Sequence, residues 1–263
     1  MVLTVDDGTR LHAIGETSSG VPLVLSNSLG TDLSLWDAQL NAFSDRSSVW
    51  RYDTRGHGQS DAPADEYSLD RLGRDLLAIV DATGAPRVDL CGVSIGGLTA
   101  LWVAIHARER VHRLILANTA ARIGNVDLWT ERMRTARAAG LRPLADAAMD
   151  RWFTEDFRQR EPARVSRFRA AFERTNVDGY IGCCAALRDA DLRPLLRRVV
   201  CPTLVITGRH DPATPPADGQ WLAGEIPAAQ LVALNAAHLS NVERSEDFNA
   251  AMRDFLSAGG RDG

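Results

Sequence analysis

Three side chains in this chain have the types and the order that acyl transfer needs: Ser94, Asp211 and His238. A serine hydroxyl is a weak nucleophile until a neighbouring imidazole takes its proton, and a carboxylate on the other ring nitrogen holds that imidazole in the useful tautomer. Ser94 stands in Gly92-Val93-Ser94-Ile95-Gly96-Gly97. A Gly-x-Ser-x-Gly pattern recurs by chance, so its context carries the argument. The β-rich run Val88 to Cys91 precedes it, and a helical run through Leu98, Leu101, Trp102 and Ile105 follows. Strand, tight turn and helix together would lift the hydroxyl out of a sheet edge, and the glycines would let the two backbones close on one another. Ser94 would then sit at a helix N-terminus, with the Ile95 N–H aimed at a developing oxyanion.

The acid and the base of such a site follow the nucleophile along the chain, each on a loop after a later strand. Asp211 follows the run Thr203 to Thr207 in Gly208-Arg209-His210-Asp211-Pro212, and His238 follows Leu231 to Leu234 in Asn235-Ala236-Ala237-His238. The competing acid position, after Leu114 to Ala117, holds Asn118, which carries no charge. An ordinary turn aspartate or loop histidine would explain either residue singly; their joint order is what argues for chemistry. His57, His210, His12, His106 and His112 lack the placement and read as structural or exposed, with His210 the one rival because it adjoins Asp211.

These residues need a scaffold, and the chain supplies one. Val21 to Leu25, Val49 to Tyr52, Val88 to Cys91, Leu114 to Ala117, Thr203 to Thr207 and Leu231 to Leu234 are candidate strands separated by helical stretches. That order predicts an α/β fold, a mostly parallel central sheet flanked by helices. Leu69, Leu72, Leu76 and Val80 fall at helical spacing with Asp70, Arg71, Arg74 and Asp75 opposite, and Gly84-Ala85-Pro86 ends the run. The alternation breaks after Asn118. Residues 122–192 read as successive amphipathic helices with no run fit for a strand, which predicts an inserted helical cap between core segments 1–121 and 193–263. A last helix, Ser245 to Ser257, turns Phe248, Met252, Phe255 and Leu256 inward, and the Gly-rich residues after it read as a frayed end.

Composition narrows the partners. The 263 residues, 45% of them hydrophobic, suit one large core, and a formal charge of -4 leaves no basic excess for nucleic acid or an anionic membrane. All 30 basic residues are Arg, which argues for codon bias and makes arginine abundance weak evidence of function. No apolar stretch approaches the roughly 20 residues of a bilayer span, and Asp6, Asp7, Arg10 and His12 interrupt any leader-like start. Cys91, Cys183, Cys184 and Cys201 show neither a disulfide framework nor zinc spacing, so a cytoplasmic protein with reduced thiols is expected. A homo-oligomer is compatible with the sequence, which does not specify one.

Further segments carry a specific resemblance. Ser26-Asn27-Ser28-Leu29-Gly30-Thr31, Asp53-Thr54-Arg55-Gly56-His57-Gly58-Gln59-Ser60, the run ANTAARIG from Ala117 to Gly124, Arg151-Trp152-Phe153-Thr154, Cys184-Ala185-Ala186-Leu187-Arg188-Asp189 and HDPATPP from His210 to Pro216 together resemble the 3-oxoadipate enol-lactonases of bacterial aromatic catabolism, in the α/β-hydrolase superfamily. The likeness covers nearly the whole chain. It implies hydrolysis of an acidic enol-lactone to 3-oxoadipate in the β-ketoadipate pathway, through an acyl-enzyme on Ser94, with no cofactor and no metal. It also implies that the Leu29 amide is the second oxyanion donor, although Asn27-Ser28 stands where many relatives have His-Gly. Fusion to a decarboxylase, known in some members, is not expected.

A substrate carboxylate needs a counter-charge, and the cap is where one would come from. Trp129 and Arg132, three apart on a helix, share a face; Arg132 is the first candidate, Arg137 the second, and Trp152 either lines the site or packs cap on core. The rival readings are a broad carboxylesterase, whose site needs no cap arginine, a carbon–carbon bond hydrolase of the same fold, and a ligand sensor that binds without turnover. Haloalkane dehalogenation is disfavoured by serine at position 94.

Overall fold

The computed structural model describes residues 1–16, 20–44 and 48–258, so the Gly-rich tail lies outside the described residues. The chain runs β1 (Val2–Thr4), β2 (Arg10–Ile14), β3 (Leu23–Ser26), α1 (Asp37–Ala42), β4 (Val49–Tyr52), α2 (Leu69–Ala82), β5 (Val88–Val93), α3 (Ile95–His106) and β6 (Val111–Ala117). Five helices follow without a strand: α4 (Val126–Ala139), α5 (Arg142–Trp152), α6 (Glu155–Arg160), α7 (Pro162–Arg174) and α8 (Val177–Asp189). The sheet then resumes with β7 (Thr203–Gly208), α9 (Pro216–Glu225), β8 (Gln230–Leu234), α10 (Ser240–Glu243) and α11 (Ser245–Ser257).

The eight strands lie in the order β1-β2-β4-β3-β5-β6-β7-β8. β2 pairs antiparallel with β1 and β4, and every other pairing is parallel. From β3 the chain crosses outward to β4 and then returns past β3 to β5, so the carboxyl ends of β3 and β5 flank a topological switch point, where open α/β sheets leave a crevice. The loop after β3 and the turn after β5 meet there, with Ser26 opposite Gly92 in the parallel ladder.

β5 is buried at every position, as a central parallel strand must be. Helix α2 buries Leu69, Leu72, Leu76 and Val80 as the spacing predicts, but Asp75, expected on the outer face, is 1% exposed. It sits three residues from Leu72 and is tolerated inside because the Arg55 guanidinium reaches both of its oxygens, one at 2.7 Å. In α11, Phe248, Met252 and Phe255 are buried and Leu256 is half-buried. Among the described residues no helix is long and apolar enough to cross a membrane.

Candidate active site

Ser94 occupies the turn between β5 and α3 with φ 58° and ψ -121°, a conformation that L-residues avoid and that a sharp strand-to-helix turn imposes. Its backbone is pinned on both sides: the N–H donates to the Ala117 carbonyl at 3.0 Å, and the carbonyl accepts the Thr119 hydroxyl at 2.7 Å. The flanking glycines are steric necessities. A Cβ on Gly92 would lie 2.2 Å from the Gly96 carbonyl oxygen, and one on Gly96 would lie 2.2 Å from that of Ser26. Side chains there would push apart the strand and helix that aim the hydroxyl.

His238 and Asp211 are joined on two neighbouring loops. The imidazole Nδ1 is 2.8 Å from Asp211 Oδ2, and since an ionised carboxylate only accepts, Nδ1 carries the proton. Nε2 is thereby left able to accept from the cavity, which His238 and Ser94 both line. Ser94 Oγ has no hydrogen-bond partner among the described residues. The loops can approach because Gly208, at the end of β7, faces the carbonyls of Ala236 and Ala237, where a Cβ would come within 2.3 Å.

Asp211 is held ionised. Oδ1 accepts from the backbone N–H groups of Ala213 (2.8 Å) and Thr214 (3.0 Å), and Oδ2 from the Thr214 hydroxyl (2.7 Å) and the Asn118 amide (3.0 Å). Burial by itself would raise this carboxyl, but His238 and the Thr214 donors outweigh it and leave it below its ordinary value. Asn118, which sequence reasoning set aside as lacking charge, is therefore part of the site. Its side chain also donates to the Ala237 carbonyl (3.2 Å) and accepts the Ser240 hydroxyl (2.5 Å), linking the loops that carry Asp211 and His238. The available signal was its place at the end of β6, where an acid could also stand.

Leu29 and Ile95 lie on the two elements that meet at the switch point, and among the described residues neither backbone N–H has an internal acceptor. His57 holds the first of these loops: its Nδ1–H donates to the Arg55 carbonyl (3.2 Å), so its Nε2 accepts from the Gly30 N–H (2.9 Å). Burial lowers its pKa, which keeps the ring neutral and able to accept. Replacing His57 with leucine leaves the Gly30 N–H without a partner. Stability measured by chemical denaturation is expected to fall by about 1–3 kcal/mol, and kcat by roughly tenfold as the neighbouring Leu29 amide drifts. An unchanged kcat in folded protein would refute a link between His57 and catalysis through the loop that bears Leu29.

The other histidines stay away from Ser94. His210 is exposed and pairs with Asn235, outside the cavity, so the one rival base is not near the serine. His12 and His112 bond Asp53 and Asp89, and His106 stacks on Trp102.

The cavity holds about 280 Å³ and is roofed by α4, α5, α7 and α8. Trp129, Arg132 and Trp152 line it, as does Arg151, which sequence reasoning passed over as a cap arginine among many. Arg137 does not. It is exposed, because five residues beyond Arg132 is about 140° further round a helix of 3.6 residues per turn. Trp129 donates to the Ile123 carbonyl (2.6 Å) and lies beneath the Arg132 guanidinium, 4.8 Å from ring centre to charge. Trp152 packs edge-on against Phe172, which does the same against Tyr180.

Among the described residues neither Arg132 nor Arg151 has an ion pair or a side-chain hydrogen bond. Burial, together with the charge of Arg132, pushes the Arg151 guanidinium down to about 10, still cationic near neutrality. Two guanidiniums without an ion pair among the described residues thus face one small cavity, an arrangement that an anion would relieve. Among the described residues no three His, Cys, Asp or Glu side chains are grouped to hold a metal ion.

The chain matches the alpha/beta hydrolase fold family over residues 21–245. This chain belongs to the α/β-hydrolase family. Among curated α/β-hydrolase relatives it is 43% identical to 3-oxoadipate enol-lactonase 2 of Acinetobacter baylyi, over 97% of this chain and 95% of that protein. It is 38% identical to 3-oxoadipate enol-lactonase 1 of the same organism, over 90% and 88%. Among solved α/β-hydrolase structures it superposes on the enol-lactonase from Burkholderia xenovorans with a TM-score of 0.94 at 43% identity, covering 98% of this chain and all of that one.

Proposed function

We propose that this α/β-hydrolase opens 3-oxoadipate enol-lactone to 3-oxoadipate in the cytoplasmic degradation of aromatic compounds, with Ser94 as nucleophile, His238 as base and Asp211 as the group that orients and stabilises the imidazolium. The observation that carries the substrate class is the pair of unpaired guanidiniums, Arg132 and Arg151, in the cavity that Ser94 and His238 share. A broad esterase for neutral substrates would not need them. The enol-lactonase names of the relatives supply the particular acidic lactone. We take 122–192 as a cap over a core of 1–121 and 193–263, so that the carboxylate arm of the substrate meets the cap while its carbonyl meets the core.

The chemistry follows from the placement. Ser94 Oγ attacks the lactone carbonyl as its proton passes to His238 Nε2, and the oxyanion takes the N–H groups of Leu29 and Ile95, each worth roughly 3 kcal/mol where such donors have been removed. Collapse breaks the ring C–O bond and expels an enolate, a better leaving group than an alkoxide. The enolate gains the proton that His238 took and tautomerises to the ketone. Water then gives a proton to His238 and attacks the acyl-serine, and His238 returns that proton to Ser94 as the acid leaves. No cofactor enters these steps.

The test compares kcat/KM on the enol-lactone with that on p-nitrophenyl acetate, in the wild type and in Arg132→Ala. We expect the wild type to prefer the lactone by orders of magnitude. Losing one charge-assisted contact, on the order of 2 kcal/mol, should cost the lactone roughly thirtyfold and leave the neutral ester within about threefold. Equal loss on both substrates would reduce Arg132 to a packing residue, and preference for the neutral ester would replace the lactonase reading with a general esterase.

A further inference from the structure

A seam of hydrogen bonds joins the middle of the cap to the loop that carries His238. The His238 N–H donates to the Arg151 carbonyl (3.3 Å), and the Leu239 N–H donates to the Trp152 carbonyl (3.0 Å). Glu243, the last residue of α10, closes the seam. Its Oε2 accepts from the Ala237 N–H (3.0 Å) and the Thr154 N–H (3.2 Å), and its Oε1 accepts the Thr154 hydroxyl. One half-buried carboxylate thus spans the residue before the base and the residue two beyond Trp152. The cap leaves and rejoins the core near 122 and 192, whereas Arg151 and Trp152 lie midway along it, at the end of α5. Chain connectivity does not set their distance from His238, and the seam is a direct tie between them.

We propose that Glu243 is a positioning residue that holds the anion-binding wall of the cavity in register with the catalytic base, so that selectivity for an acidic lactone depends on a side chain outside the cavity. The inference rests on the lactonase reading above. Its physical content is reach. A carboxylate at this position satisfies three donors on two loops at once, and registration to within an ångström is what a two-point substrate demands, since a misplacement of about 1 Å can cost up to a hundredfold in rate.

Two substitutions separate reach from charge. Glu243→Asp keeps the charge but is shorter by one C–C bond, about 1.5 Å, and cannot hold Ala237 and Thr154 together. Glu243→Gln loses the charge but keeps the reach: its carbonyl oxygen can take both backbone N–H groups while its amide donates to the Thr154 oxygen. Both conserve a polar group at the seam, so both are expected to fold. We read kcat and KM for the enol-lactone and for p-nitrophenyl acetate. Glu243→Asp is expected to lower the lactone-to-ester ratio of kcat/KM by roughly tenfold or more, mainly through KM, while Glu243→Gln keeps the wild-type ratio. Equal losses on both substrates in Glu243→Asp would overturn the inference by reducing Glu243 to a support for His238 alone. Equal damage from the two substitutions would overturn it in favour of charge. A wild-type protein that does not favour the lactone would overturn the substrate reading, and this inference with it.

Discussion

Ser94→Ala is expected to lower kcat on the enol-lactone by on the order of 10⁶-fold, leaving only the residual rate that oxyanion donors and binding supply without a nucleophile. The substitution removes one oxygen with no hydrogen-bond partner among the described residues, and alanine meets the same strained backbone at φ 58° that serine does. The fold should therefore survive with a nearly unchanged thermal midpoint, and KM should move little because the cavity walls remain. Steady-state rates with a thermal melt make the check. A folded variant retaining more than about 1% of wild-type kcat would mean that Ser94 is not the nucleophile.

Asp211→Asn should cost about 10⁴-fold in kcat, and the geometry says why an isosteric amide fails. The two backbone N–H groups on Oδ1 would draw the amide oxygen to that side. The NH₂ would then occupy the Oδ2 position, facing His238 Nδ1 and the Asn118 donor. An N–H aimed at Nδ1 selects the tautomer protonated on Nε2, which cannot take the Ser94 proton. A kcat within tenfold of wild type would refute the assignment of Asp211. There is a stability consequence as well. Because the folded protein holds Asp211 below its ordinary 3.8, the ionised carboxylate contributes stability above that value and loses it as pH falls through the lower folded pKa. Acid titration of unfolding should thus show the wild type losing more stability below pH 4 than Asp211→Asn, and parallel curves would contradict it.

Much of the scaffold was legible because parallel strands buried on both faces read as short apolar runs, and six were placed within a few residues. The N-terminal hairpin was not. β1 and β2 span only three and five residues and are partly exposed, so they lack the continuous buried run of the central strands, and their turn holds Gly8 at φ 84°. Asp75 was misread because a buried ion pair with Arg55 can reverse what periodicity says of a charged residue. Arg137 was the second candidate after Arg132, whereas helical rotation decides which of two arginines looks into a cavity.

By itself, the sequence determined the alternation of six strands with helices that builds an α/β fold, the turn that carries Ser94, and the placing of Asp211 and His238 on later loops, because those signals are local patterns of glycine, β-branched and charged residues. Only the tertiary structure decided that Asn118 and Thr214 hold Asp211, that neutral His57 ties the loop bearing Leu29, and that Arg151 and not Arg137 joins Arg132 over the site. It alone shows Glu243 bridging Thr154 and Ala237, 89 and 6 residues away along the chain. Such choices are made by hydrogen bonds and charges between distant segments, and their energies depend on separations of a few ångströms that no local pattern encodes.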